Sequence, residues 1–233
     1  MAPFPEPSEL PEKFAGVVRL FPLPNLVMFP HIVHALHIFE PRYRAMLEDA
    51  LAGDQLIAMA RLQPGWEQDY EGRPPIYPAV CVGRVDAHAR LEDGRYNILL
   101  HGLKRATIVR EYSPEHSFRL AEVAILDDVY PSGGAPRRAR MQRDLLRTFQ
   151  RLVPESPTAH EQIEQLLGQQ VPLGALVDVV SFTLALELDF KQELLAQANV
   201  DLRSSMLLEK LQQMADEKPP ESDPPFPPEF SSN

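Results

Sequence analysis

Apolar positions follow two different patterns along the chain. Residues 15–130 contain brief runs rich in Val, Leu and Phe, interrupted by glycine and proline, which is typical of short strands. Residues 137–215 instead carry apolar positions at helical spacing, with few helix-breaking residues. The sequence therefore predicts an α+β chain in which a β-rich part precedes a helical part.

Seven short strands are predicted in the first part. They lie at 16–20, 25–29, 56–61, 80–89, 96–100, 106–109 and 118–125. We expect Gly102 to interrupt the chain between the fifth and the sixth strand. Asp93-Gly94 lies between two extended runs and predicts a tight hairpin turn in which both residues take positive φ. Many short strands with one main helix favour a small, curved antiparallel sheet or an open barrel.

Helices are predicted from apolar stripes and from their end signals. The main helix of the first part starts at Pro41 and stops at Gly53, because proline suits a first helical turn and glycine suits the residue after the last one. Asp189 and Gln192 resemble a capping box. The helices expected in the second part lie at 136–152, 157–167, 172–186, 189–198 and 201–214.

Composition shifts divide the chain into five segments. We expect a flexible arm at 1–14, a β-rich subdomain at 15–130, a linker at 131–136, a helical bundle at 137–215 and a disordered tail at 216–233. The tail is rich in proline, which removes backbone donors and fixes φ.

Charge and cysteine content exclude several classes of protein. The chain has 23 Lys and Arg against 33 Asp and Glu, a net charge of -10, so a general nucleic-acid binder is disfavoured. Its one cysteine, Cys81, allows neither an intramolecular disulfide nor a Cys-rich zinc site, and its apolar neighbours predict a buried thiol. The start of the chain is not a signal peptide, and no apolar run approaches the roughly 20 residues of a membrane span. We expect a cytoplasmic protein without cofactor or membrane contact.

Three histidines at spacing three form one candidate metal site. His31, His34 and His37 lie between two prolines in a segment predicted to be extended, where alternation puts His34 on the opposite face from the other two. A zinc site needs three or four convergent ligands, so structural histidines are the favoured interpretation and no metal is expected. A small metal-dependent hydrolase using this cluster stays open as an alternative.

The helix predicted at 136–152 is strongly basic. Arg140, Arg143, Arg147 and Arg151 recur at helical spacing and share one face. Such charge runs usually face solvent, and the alternative is a docking surface for an acidic partner or for RNA.

Several motifs resemble the N-terminal domain of the Lon protease family. They are Phe21-Pro22-Leu23, Val27-Met28-Phe29-Pro30 and Leu36-His37-Ile38-Phe39-Glu40-Pro41-Arg42-Tyr43, then Asp93-Gly94-Arg95-Tyr96-Asn97, Gly102-Leu103-Lys104-Arg105, Lys191-Gln192-Glu193-Leu194-Leu195 and Val200-Asp201-Leu202-Arg203. This ordered set covers about residues 17–214. The resemblance implies a PUA-like, β-rich pseudo-barrel with one main helix, followed by an α-helical bundle. His31 and Ala35 depart from the glycine and proline common in the family, which puts the shape of the loop 30–36 in doubt.

The resemblance also implies a role in recognising polypeptide substrates. The sequence contains no ATPase phosphate loop and ends soon after the helical half, so we expect a free-standing, non-catalytic module that serves as an adaptor in protein quality control. Its expected partners are unfolded or extended polypeptides and a protease or chaperone; an RNA-binding PUA-like module is the alternative.

Candidate residues for contact with a polypeptide are those beside the predicted sheet. They are Phe29, Phe39, Glu40, Arg42 and Tyr43, of which Glu40 and Arg42 are also expected to fix the start of the first helix against the sheet. The arginines 140, 143, 147 and 151 are the candidate surface for partner docking.

Overall fold

The structure is a computed structural model that describes residues 9–70, 72–113, 115–152 and 171–217. The helix predicted at 157–167 lies outside the described residues, as does most of the predicted arm and tail. Within them the protein has six strands and five α-helices.

The six strands form one sheet. They are β1 (Val17–Leu23), β2 (Val33–Ile38), β3 (Leu56–Arg61), β4 (Ala79–Arg90), β5 (Tyr96–Glu111) and β6 (Arg119–Leu126). Their order is β2-β5-β4-β3-β1-β6, and an additional pairing between β5 and β6 closes five of them into a ring. β2 lies outside the ring and pairs only with the first half of β5.

The result is the irregular pseudo-barrel of a mixed α+β protein, which confirms the predicted fold class. It is not a clean antiparallel barrel, because β1 and β3 run parallel to each other. The pairing of the long strands β4 and β5 also shifts register at two places, and that of β5 with β6 at one; such bulges let strands curve around a small ring.

Two predictions about the strands were wrong at the same place. The segment 25–29 is a buried loop rather than a strand. Gly102 does not interrupt the chain, because β5 continues through it. The Gly102 amide donates to Ile32 O and its carbonyl accepts from the His31 amide, both at 2.8 Å. A Cβ on Gly102 would lie 2.2 Å from Phe29 O, so glycine is needed here for close approach of the loop.

The predicted hairpin between β4 and β5 is present, with a different turn. Only Gly94 takes positive φ, at 79°, and its amide donates to Leu91 O at 2.9 Å. A loop of 91–95 therefore replaces the tight two-residue turn, in the manner of longer hairpin loops that place a glycine in the left-handed region.

The helices agree with the predicted periodicity to within three residues at each end. They are α1 (Pro41–Ala52), α2 (Ala135–Leu152), α3 (Leu173–Thr183), α4 (Leu188–Ala196) and α5 (Val200–Glu217). The segment predicted as a linker holds a short 3-10 turn, Ser132–Gly134, directly before α2. None of the helices in the described ranges is long and apolar enough to cross a membrane.

The predicted capping box on α4 was wrong, because both side chains reach the barrel instead. Asp189 forms an ion pair with Arg61 of β3 at 2.7 Å. The Gln192 side-chain amide donates to Ala79 O of β4 at 2.8 Å. Tertiary contacts therefore take the two polar groups that a local cap would have used.

Two apolar cores hold the molecule together. The first fills the ring and comes from all five of its strands: Val18, Leu20, Leu56, Ala58, Ala60, Val80, Val82, Leu103, Ala106, Ala121 and Val123. The second is continuous from α1 and the outside of the ring into α2–α5. Cys81 belongs to this second core, as predicted, and burial raises the pKa of its thiol. The β-rich and helical halves thus share one core.

Candidate functional site

One face of β2, β5 and β4 is open to solvent. Ile38, Ile98 and Leu100 of these strands are buried in the core. Because side chains alternate across a strand, their neighbours point away from it. We call these exposed residues the outer strip: Val33, Ala35, His37, Ala87, Ala89, Asn97 and Leu99.

The outer strip is built in rows across the three strands. Ala35, Leu99 and Ala87 are opposite one another in one row, while His37, Asn97 and Ala89 form the next. The alanines are small, so the rows line a shallow, largely apolar groove of about 500 Å³.

The larger apolar side chains of the outer strip, and of Phe39 beside it, are unusually exposed. Leu99 is 42% exposed, Val33 47% and Phe39, just after β2, 57%. His37 Nδ1 lies 2.7 Å from Asn97 Oδ1, and its ring stacks on Phe39 with centroids 6.0 Å apart. Contiguous exposed apolar groups bounded by polar ones mark interaction sites.

β2 also presents an open edge. Among the described residues its one strand neighbour is β5, so its other side offers backbone donors and acceptors. Natural edge strands are commonly protected by Lys, by Pro or by a bulge. The six residues from Val33 to Ile38 include no charged residue other than His and no proline, and their pairing with β5 has no bulge. This edge can accept an additional strand.

The five predicted polypeptide-binding residues occupy different environments. Phe29 is fully buried and Tyr43 is 5% exposed, with its hydroxyl donating to Pro22 O at 3.3 Å. Neither can contact a polypeptide unless the loop or helix that covers it moves. Phe39 alone of the five is largely exposed and adjoins the outer strip.

Glu40 and Arg42 fix the start of α1. Glu40 accepts hydrogen bonds from Arg42 Nε at 3.1 Å and from the Tyr70 hydroxyl at 2.5 Å. Arg42 donates to Tyr70 O at 2.9 Å, and its guanidinium lies 4.7 Å from the centroids of both the Tyr43 and the Tyr70 ring. Glu40 and Arg42 therefore fix the start of α1 against the segment at Tyr70, and not against the sheet as expected.

The three histidines of the candidate metal site have separate surroundings. His37 faces the outer strip, whereas His34 packs edge-on against Phe182 of α3 with ring centroids 5.3 Å apart. His31 lies at φ 66° near Asp178 and Arg105, and burial lowers its pKa. No group of three metal-ligating side chains occurs in the described part of the chain, so the geometry gives the hydrolase alternative no support.

The predicted arginine face of α2 is present. Arg140, Arg143, Arg147 and Arg151 are all exposed, and the opposite side of the helix buries Leu145, Leu146 and Phe149. Arg140 makes an ion pair of 3.5 Å with Asp144 on the same helix. The stripe is a basic surface on an acidic chain.

A buried ionic cluster between the two halves was not predicted. Asp178 of α3 forms ion pairs with Arg105 of β5 and with Arg203 of α5, and all three side chains are buried. Arg203 also pairs with Asp128 at 2.9 Å, as Arg105 does at 3.3 Å. A lone carboxylate in the otherwise apolar helix 173–183 was the available signal, since a buried charge requires a partner.

Comparison with known proteins places these features in a family. Residues 17–213 match the family model described as the ATP-dependent protease La (LON) substrate-binding domain. Among curated relatives, the Lon protease of Anaeromyxobacter dehalogenans is 24% identical over 205 residues, covering 86% of this chain and 23% of the relative. Lon protease 2 of Desulfotalea psychrophila is 29% identical over 196 residues, covering 84% and 25%. The chain thus spans about a quarter of the length of these relatives.

Solved structures show the same fold. The N-terminal domain of a Mycobacterium avium complex Lon protease superposes with a TM-score of 0.66 at 18% identity, covering 84% of this chain and 98% of that one. A Lon N-terminal domain protein from Xanthomonas campestris gives a TM-score of 0.56 at 19% identity, covering 83% and 97%.

Proposed function

Because this chain belongs to the ATP-dependent protease La (LON) substrate-binding domain family, we propose that it is a non-catalytic module that recognises extended or unfolded polypeptides. The observation that carries the proposal is the outer strip beside the open edge of β2. An extended chain supplies what this surface lacks: a strand for the edge and apolar side chains for the groove.

Binding combines two contributions with different selectivity. Backbone hydrogen bonds to β2 require an extended segment but no particular sequence. Leu99, Val33 and Phe39 then favour segments with apolar side chains on the face that covers them. The small Ala35, Ala87 and Ala89 leave room for those side chains. Such a surface recognises unfolded chains, which expose both features, over folded ones.

We further propose that the module acts as an adaptor in protein quality control. In this role the arginine stripe on α2 docks an acidic surface of a partner protease or chaperone. The stripe is exposed, and of its four guanidiniums only that of Arg140 has a carboxylate partner within the described residues. Complementary charge of this kind chiefly raises association rates and weakens as salt is added.

A titration of the full chain with a fluorescein-labelled unfolded polypeptide, followed by anisotropy, tests the recognition role. We expect saturable binding that Leu99→Asp weakens by about tenfold or more, because a carboxylate would be desolvated against apolar side chains. The matched control is Val109→Asp, which alters an exposed residue, 60% accessible, in the other half of β5 and leaves affinity unchanged.

Two outcomes would contradict the proposal. One is the absence of saturable binding to the unmodified chain. The other is equal loss of affinity in Leu99→Asp and Val109→Asp, which would indicate a general effect of added negative charge rather than contact at the outer strip.

A further inference from the structure

A second cavity lies between the start of α1, the loop 72–74 and the segment 116–119 that leads into β6. Its volume is about 230 Å³. Its apolar wall includes Leu20, the Tyr43 ring and Phe118, and three arginines line it: Arg42, Arg73 and Arg119. No Asp or Glu of the described residues lines the cavity.

Two of the arginines are held in fixed positions. Arg119 is buried and makes a two-point contact with Glu111 at 2.6 and 2.8 Å, with a further bond of 2.7 Å to Pro74 O. Arg42 is held over the Tyr43 and Tyr70 rings, and its buried Nη2 lies 3.0 Å from a carboxylate oxygen of Glu40.

The third arginine, Arg73, differs from the other two in its partners. Glu40 balances Arg42 and Glu111 balances Arg119. Arg73 contacts only a backbone carbonyl, Tyr112 O at 3.3 Å, and has no carboxylate partner among the described residues. Within the described residues, the charge of Arg73 at this cavity is therefore not balanced by a carboxylate.

We propose that this cavity binds a small organic anion, a carboxylate or a phosphate attached to an apolar group. The charged end meets Arg73, and the apolar end lies against Phe118 and the Tyr43 ring. The planar guanidinium group of arginine presents paired N–H donors whose spacing matches the oxygens of both carboxylate and phosphate. A dry cavity of about 150 Å³ accommodates benzene, so this volume accepts one ring with its anionic substituent.

This site is independent of the polypeptide-recognition role, because it shares no residue with the outer strip. The probes are therefore small molecules rather than polypeptides. Phenyl phosphate and benzoate represent the two anion types, and benzyl alcohol is their neutral counterpart.

Calorimetric titration of the full chain tests the proposal. We expect one site that binds phenyl phosphate or benzoate, whichever anion is preferred, and that binds benzyl alcohol at least tenfold more weakly. Arg73→Gln should weaken anion binding by about tenfold or more, the size typical of a lost charged hydrogen bond. Arg137→Gln removes the same charge from an exposed position in the first turn of α2, outside the arginine stripe, and should leave the affinity unchanged.

Three results would overturn the proposal. They are no saturable binding of either anion, equal affinity for benzyl alcohol, and an Arg73→Gln variant that binds like the unmodified chain. Thermal unfolding of Arg73→Gln confirms that it is folded, since the only bond it loses is to an exposed carbonyl.

Discussion

Single residues decide how the loop 29–32 meets β5. Gly102 leaves space for Phe29 O, and His31 takes positive φ, a conformation that is uncommon outside glycine. Sequence reasoning identified both positions as special but misjudged Gly102 as a break. The physical reason is that a single sequence does not distinguish a glycine required for close approach of another segment from a glycine that ends a strand.

Replacing Gly102 by alanine should destabilise the protein by about 1–3 kcal/mol or more, the range for an overpacked core. The added methyl group would meet backbone atoms, which cannot move aside as a flexible side chain can. Gly133→Ala is the control, because a Cβ there meets nothing within 4 Å. Urea unfolding measures both variants, and equal stability of the two would refute the close approach.

The pH dependence of stability should carry a contribution from His31. Burial lowers its pKa below the ordinary 6.5, against the opposing effect of Asp178. The unfolded state then binds more protons than the folded state just below pH 6.5. The free energy of unfolding therefore rises with pH through that window, and the contribution of His31 to this rise ends above pH 6.5.

His31→Asn tests this contribution, because asparagine tolerates positive φ and does not titrate. Between pH 7.5 and pH 5.5 the variant should lose less stability than the unmodified chain. His88→Asn, which alters an exposed residue of β4, should lose as much as the unmodified chain does. An unchanged pH slope in His31→Asn would contradict the assignment.

At the scale of elements, periodicity predicts which segments are helices but not how they dock. The stripes of α2 and α5 were evident from spacing, whereas the interaction of α4 with β3 and β4 was not. Local sequence cannot distinguish a capping Asp189 from one that reaches Arg61, because the barrel partner is distant in the chain. The ionic cluster around Asp178 could not be predicted for the same reason, because its partners come from β5 and α5.

Removing Arg203 should cost about 3–5 kcal/mol of unfolding free energy, the range for breaking a buried ion pair. In Arg203→Met the carboxylate of Asp178 keeps only Arg105, and Asp128 loses its closest guanidinium. Arg140→Met removes an exposed pair within one helix and should cost less than about 0.5 kcal/mol. Chemical denaturation measures the free energy of unfolding of both variants. Equal stability of Arg203→Met and Arg140→Met would show that the buried cluster does not stabilise the packing of the two halves.

At the scale of the whole molecule, the α+β architecture was predictable from the two patterns of apolar positions and from the family motifs together. The location of the proposed binding surface was not predictable in this way. Phe29 and Phe39 look alike in sequence, yet one is in the core and the other is 57% exposed. The outer strip depends on which residues of β2, β5 and β4 lie opposite one another, and that register is set by pairing between strands distant in the chain rather than by any single segment.

The family and the exposed surface together point to one central claim, that unfolded polypeptide binds at β2. Hydrogen–deuterium exchange of backbone amides, with and without saturating unfolded polypeptide, tests it most directly. The account predicts slower exchange in residues 33–39 and around Leu99 when polypeptide is bound, and unchanged exchange in the distal half of β5 from Arg105 to Glu111. Unchanged exchange at 33–39 under saturation, with protection elsewhere on the molecule, would contradict it.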